Sequence, residues 1–471
     1  MKIQLSSGQN LSAEPRIKDQ AIIVIVANFS GQYGRRGAPS EQPSLGKMIN
    51  LDPYDIDASI KQYTPRIIVE SGDHALDIRI NNMEDFHPDT LFRHLDIFTV
   101  TKALKHALAD PEKAPRALEV ASKLTGFTVS SPGKSTPVAR EEDDPEHDMF
   151  LRLLGRNSDN TEHVGQTVDK LLTDIVGNDA ISETPESVTQ MLQQLDDLDQ
   201  EAMRGLLMHD AFREVEAAWR SVLWLGQNIE SDSQVQIWLL DAAPASPADW
   251  ASEAHSLITR SLAGEPVSVI SVLQDFSGTD ESAMQLKSLC DLSTAASCAV
   301  LSGADASLAG LAGNPASYLT VDASDIRGDH NPSIRELRSK AATIGLGFPR
   351  LLLRQPYGKR SDPVDAFPFE ELPSAPHHET FFWVSSAIGL ALVWISQHLG
   401  SADSLEIRDT PMVTYDDGSG QAIKPSSEFY LSDSAVDMLM ANGFMPLVSR
   451  RGDTGITVPR LQSLEDPAKS L

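Results

Sequence analysis

Few stretches of this chain gather titratable or nucleophilic side chains at spacings that chemistry requires. His377 and His378 are adjacent. Neighbours on a strand point to opposite faces, and flanking Pro376 and Glu379 read as an exposed loop, so no shared metal is expected. His209-Asp210 offers a dyad. The plain alternative puts His209 at the end of one helix, where a cation is favoured, and lets Asp210 cap the next. Asp52, Asp55 and Asp57 could attract a cation. They lack the spacing, glycine and glutamate of an EF-hand and read as turn and cap aspartates. Cys290 and Cys298 sit in one alanine-rich, helix-like run. On a straight helix they would be about 12 Å apart along the axis, too far for a disulfide, so buried, reduced thiols are expected. No Walker loop, G-x-G-x-x-G, G-x-S-x-G elbow or Cys/His pair at metal spacing occurs. The sequence therefore offers no convergent pocket of titratable residues. The expectation is a structural or binding protein, not an enzyme, with no cofactor.

The elements that would carry any site follow from composition and pattern. Of 471 residues, 41% are hydrophobic, enough for a sizeable core and two to four domains. Lys plus Arg number 39 and Asp plus Glu 67, a formal charge of −28. Phosphate-rich or anionic surfaces would be repelled, which argues against nucleic acid or membrane as the main partner. The excess is uneven: residues 140–203 carry 4 basic and 17 acidic groups. The start, MKIQLSSGQN, has no apolar core of a signal peptide. No run reaches the roughly 18 apolar residues of a membrane helix. A soluble, cytoplasmic protein is the expectation.

The pattern divides the chain into an α/β part at 1–124, a Pro-, Ser- and acid-rich linker at 125–160, a helical segment at 161–230 and a second α/β part at 231–471. Lys2, Ile3, Gln4 and Leu5 form a short terminal strand candidate. Ala21–Ala27 (AIIVIVA) is a continuous apolar run, the mark of a strand buried on both faces. His74–Ile80 alternates as a half-buried strand does. Asp89 is expected to cap a helix, and Thr99–Ala109 forms another. Val164, Val168, Leu171, Leu172 and Ile175 recur at helical spacing. Ser187–Met208 and Ala211–Leu225 read as helices, Gln234–Leu240 and Val267–Leu273 as strands. Glu281–Leu301 and Phe382–His398 each read as one helix. Asp433–Asn442 reads as a helix ended by Gly443, followed by a strand at Phe444–Ser449.

The stretch Gly345–Glu371, GLGFPRLLLRQPYGKRSDPVDAFPFEE, holds four prolines, which rule out a long helix. From the residues alone it is a loop beneath a short buried strand at Leu351–Leu353. As a motif it resembles the LPR-x-LLRLPYG-x-x-TDPVE-x-F-x-FEE block of TssC (VipB), the large sheath subunit of type VI secretion systems. Pro349, Arg350, Pro356, Tyr357, Gly358, Asp362, Pro363 and Phe367 carry the match. His209-Asp210-Ala211-Phe212 with Glu216-Ala217-Ala218-Trp219-Arg220 is similar to HHP-x-F-x-x-LEAAWRGL of the same family. Gly264-Glu265-Pro266 with Gln274-Asp275-Phe276 is similar to its G-x-EPFG…GDYEF, and Gly443–Val448 to its GFIPLV. In the first part, Asn82–Asp89, with Asp85, Phe86 and Pro88, resembles the S-M-x-D-F-x-P-D of TssB (VipA), the small sheath subunit.

The resemblance implies a fusion of two sheath-type α/β domains, TssB-like and TssC-like, joined by a linker and an acidic helical segment. It implies a helical, contractile tube around a needle tube protein, seated on a baseplate, with subunits tied by exchanged strands, of which Lys2–Leu5 would be one. It also implies recycling by a ClpV-type AAA+ unfoldase, for which Val164–Val176 is the docking candidate; a plain packing helix is the alternative. Departures from the pattern include Ser221 in place of the glycine after Trp219-Arg220, and the end of the sequence eight residues after Leu461-Gln462-Ser463, which is similar to the family's AQS, where the family continues into a C-terminal arm; a C-terminally truncated large subunit is the expectation. They leave open a second expectation, a non-polymerising cap, baseplate adaptor or regulator of sheath assembly.

Overall fold

The structure is a computed structural model that describes residues 21–32, 45–71, 74–125, 185–229, 235–242, 250–311, 319–327, 332–374, 376–399, 405–408, 410–416, 418 and 420–471. The candidate strand Lys2–Leu5 and the candidate docking positions Val164, Val168, Leu171, Leu172 and Ile175 lie outside them, as does most of the 125–160 linker.

An interior strand of the main sheet, β1 (Ala21–Ala27), is buried at all seven positions. Parallel strands flank it on both sides: β5 (Val235–Ala242) with Ile23 opposite Ile237, and β6 (Val269–Phe276) with Val24 opposite Ile270. A strand with neighbours on both edges and helices on both faces has no solvated side, hence its unbroken apolar run. β7 (Ala299–Ala304), β8 (Ile344–Phe348) and β11 (Phe444–Pro446) continue the sheet in parallel beyond β6. β2 (Leu45–Asn50) closes the other edge, antiparallel to β5. Among the described residues the order is β11-β8-β7-β6-β1-β5-β2. Residues from the two expected α/β parts therefore share one sheet.

Alternate residues of β1 feed two cores. Ile23, Ile25 and Ala27 join a cluster with α1 (Ile56–Tyr63), the hairpin β3 (Arg66–Ser71) and β4 (His74–Arg79), and the helices α2 (Pro88–His94), α3 (Thr99–Leu108), α4 (Ala114–Thr125), α5 (Pro185–Met208) and α6 (Asp210–Asn228). Ile22, Val24 and Val26 pack with α7 (Trp250–Ser261), α8 (Asp280–Ala296), α9 (Pro332–Arg338) and α11 (Asp433–Ala441). α10 (Ala387–Leu399) covers the first face, with Ile388, Leu390 and Val393 in its core. Trp219 of α6, fully buried, donates its indole N–H to Phe29 O at 3.0 Å. Gly31 makes the turn after β1: its φ is +72°, and a Cβ there would lie 2.8 Å from Arg66 O. No helix among the described residues is long and apolar enough to cross a membrane.

Several expected elements divide differently. The helix expected over Glu281–Leu301 ends at Ala296, and Ser297 turns left-handed with φ 55°. The chain then enters β7, so Cys290 lies on the helix and Cys298 beyond it. Both thiols are free and buried, and burial pushes each up to about 12. Phe382–His398 is a short strand, β10 (Trp383–Val384), followed by α10. β10 pairs with β9 (Leu351–Leu352). Alanine- and leucine-rich apolar runs satisfy either period, and the sheet takes the part that reaches it.

Candidate functional site

Of the residues singled out in the sequence, Arg220, Arg350, Tyr357 and His378 join two buried ion-pair networks. Glu216, fully buried on α6, accepts from Arg220 Nε at 2.5 Å and from Arg354 Nε at 2.9 Å. Arg354 continues to Glu371 with paired bonds of 2.6 and 2.8 Å. Its guanidinium lies 4.4 Å from the ring centres of both Tyr357 and Phe382. Arg220 also donates to Tyr357 Oη at 2.6 Å. Burial acts to raise the Glu216 carboxyl, but Arg354 and Arg220 outweigh it and hold it below its ordinary value. Such a lattice fixes orientation, because every lost partner would strand a charge in a dry interior.

The second network is centred on Glu428. It accepts from Arg350 Nη2 at 2.6 Å and Nε at 3.1 Å, and from His378 Nε2 at 2.6 Å. Burial opposes its ionisation, yet Arg350 and His378 bring it down to about 2. Lys424 Nζ lies 3.1 Å from His378 Nδ1, which leaves Nε2 as the donor to Glu428. Burial lowers Lys424 to about 8. The expectation that His378 sits in an exposed loop fails: it is buried and stacks on Phe429 at 5.2 Å. His378, Glu379 and Glu428 bring ligand atoms within 4.8 Å of one another. Arg350 and Lys424 already occupy that space as cations, so the group does not fit a metal.

The first part of the chain is fastened to the same block. Asp89, expected as a helix cap, is buried, and its carboxylate accepts the backbone N–H of Asp365 at 3.0 Å and of Ala366 at 2.7 Å. The cap of α2 is His87, with Pro88 at the first turn. Likewise the Nδ1 of His209, not Asp210, caps α6 by accepting from Ala211 N. Phe367 stacks on Phe92 at 4.3 Å. Phe86 meets Phe212 edge-on at 5.8 Å, and Asp85 accepts from Asn81 N at 2.6 Å. Gly358 N donates to Asp362 O at 2.7 Å, closing the loop whose outer residue Pro363 is exposed. Pro349 and Pro356 flank the Leu351–Arg354 run between those ties. Asp52 and Asp55 form turn and cap bonds to Tyr54 N and Ala58 N, while Asp57 accepts from Met83 N.

These ties bring Trp219, Arg220, Arg350, Tyr357 and Phe367 into one region. The sequence reading did not single out Glu216, Arg354, Glu371 or Glu428 as partners. The available signal was an acid or a base alone on an otherwise apolar run, as Glu216 between Val215 and Trp219, and Arg354 after three leucines.

Residues 259–464 match the family profile described as EvpB/VC_A0108, tail sheath N-terminal domain. That stretch of the chain is similar to a tail sheath domain. It contains the whole 345–371 block and Glu428, and Trp219 and Arg220 lie outside it. The type VI secretion system sheath protein TssC1 of Pseudomonas aeruginosa is 27% identical over 335 residues, which cover 63% of this chain and 64% of that protein. The match thus spans a little under two thirds of the relative's length. The TssC-like character read from the motifs is supported by both comparisons.

The structure does assemble a pocket of titratable groups: a cleft of about 250 Å³ beside the second network, bordered by Arg213, Asp275, Arg350 and Glu379.

Proposed function

We propose that this chain is a structural, non-enzymatic building block of a type VI secretion contractile sheath, with residues 1–124 in the role of the small subunit and the TssC-like remainder in that of the large one. One observation carries the reading. β1, from the first part, is an interior strand of a sheet otherwise completed by strands from residue 235 onward, apart from edge strand β2, and Asp89 locks the 365–366 backbone. Two subunits that always act as a pair can share a sheet in this way, and a fusion keeps them at equal numbers. Buried ion-pair networks that tie distant segments together suit a part that must move as a rigid body. Under this reading the partners are other sheath subunits, a needle tube protein, a baseplate and a ClpV-type unfoldase. Heterologous, non-closing contacts generate the tube, with strand exchange between neighbours as the tie.

Negative-stain electron microscopy of the purified chain, alone and mixed with complete sheath subunits from the same source, tests the proposal. Tubes, alone or co-assembled, are expected. Particles bound only at the ends of partner tubes would replace the reading by a cap or adaptor. Neither tubes nor binding would overturn it.

A further inference from the structure

The cleft lies at the carboxyl ends of β1 and β6, which are neighbours in the sheet. The elements that follow β1 pack on one face, and α8, which follows β6, packs on the other. Open α/β sheets take ligands in the crevice where the connections part in this way. The face of α6 that borders the cleft carries the small residues Ala217, Ala218 and Ser221, so the helix does not fill the space. Trp383, Leu273 and Val384 supply an apolar wall.

The charges in the cleft are unevenly matched. Arg350 is paired with Glu428 and Glu379. Arg213 donates to the carbonyls of Leu207, Glu379 and Thr380. Asp275 accepts from Ser385 Oγ at 2.7 Å through Oδ1, and no donor reaches its Oδ2 among the described residues. Gly303 makes room for that pair, since a Cβ there would lie 1.8 Å from Asp275 Oδ1 and 2.5 Å from Ser385 Oγ. Ser221 is 2% exposed, and its hydroxyl makes no hydrogen bond among the described residues. A hydroxyl so deeply buried normally has a partner. Asp210 and Glu214 also line the cleft, and burial pushes Glu214 up to about 7. Burial pushes Asp275 up to about 6, against the opposing pull of Arg350 and the Ser385 hydrogen bond. Both guanidiniums in the lining are turned to these other partners, so the open oxygen of Asp275 and the Ser221 hydroxyl are left without a positive donor.

We propose that this cleft binds a small organic cation, an ammonium or guanidinium group on a short apolar stem, with Asp275 taking the charge and Ser221 accepting a further hydrogen bond. The volume is at the small end for ligand sites, which suits a free molecule of few heavy atoms and not a polypeptide segment. The proposal stands independently of the sheath reading, because it concerns the unassembled chain.

Isothermal titration calorimetry of the full chain with agmatine as probe, and succinate as the anionic control, tests it. Saturable binding of agmatine and none of succinate is expected. Asp275→Asn should weaken agmatine by about tenfold or more. Ala217→Leu, which fills the cleft without altering a charge, should abolish binding, and it keeps the test decisive if Asp275→Asn misfolds. No binding at millimolar agmatine, binding of succinate instead, or unchanged affinity in both variants would overturn the proposal.

Discussion

At the scale of single residues, the decisive groups are buried charges whose partners lie far away in the chain. Glu216 pairs with two guanidiniums, one four residues away and one 138 away. Glu216→Ala should therefore cost about 3–5 kcal/mol, the usual loss when one partner of a buried pair is removed. Urea unfolding measures it, and Glu216→Gln, which keeps an acceptor facing Arg220 and Arg354, should lose less than Glu216→Ala. Glu428 makes a second prediction. Its folded value is about 2 against an ordinary 4.5. A depressed carboxyl contributes its full stability above pH 4.5 and loses it as pH falls through about 2. Acid unfolding of Glu428→Gln should be flatter than wild type across that window; an identical slope would assign acid sensitivity elsewhere. Lys424 runs the other way. Because burial lowers it from 10.5 to about 8, its charged form opposes folding, and stability should rise as pH climbs from about 8 to 10.5. Lys424→Met should remove that rise.

At the scale of elements, strongly patterned segments were legible. β1 matches the apolar run Ala21–Ala27 residue for residue, because seven consecutive large aliphatic or alanine side chains can be buried only between two faces. α5 and α6 fall within a few residues of the expected bounds. Boundaries inside uniform apolar runs were not legible. The end of α8 at Ser297 is set by a left-handed turn that no glycine announces. A non-glycine residue there carries strain, so Ser297→Gly is predicted to raise stability by up to about 1 kcal/mol, read as a shift in the denaturation midpoint. Helix caps were misassigned for a similar reason. Histidine Nδ1 at positions 87 and 209 accepts the bond expected of the neighbouring aspartates, which frees Asp89 to reach the 365–366 backbone.

At the scale of the molecule, residues from both ends of the described chain build one sheet, and this has a direct consequence. If residues 1–150 and 151–471 are expressed as two chains, they should copurify as a one-to-one pair. The longer piece alone should be insoluble, since it lacks an interior strand and leaves the facing edges of β5 and β6 unpaired. A soluble, folded longer piece would show that β1 is dispensable. The sequence by itself determined the α/β class, the buried strand at 21–27, most helices and a TssC-like motif block, because hydrophobic period and turn residues are local signals. Only the tertiary structure decided that β1 inserts between β5 and β6, that Glu216, Arg354 and Glu371 form one network, and that a charged cleft opens beside Asp275. Those outcomes depend on side chains brought together across tens to hundreds of residues, and neither spacing nor composition encodes that distance.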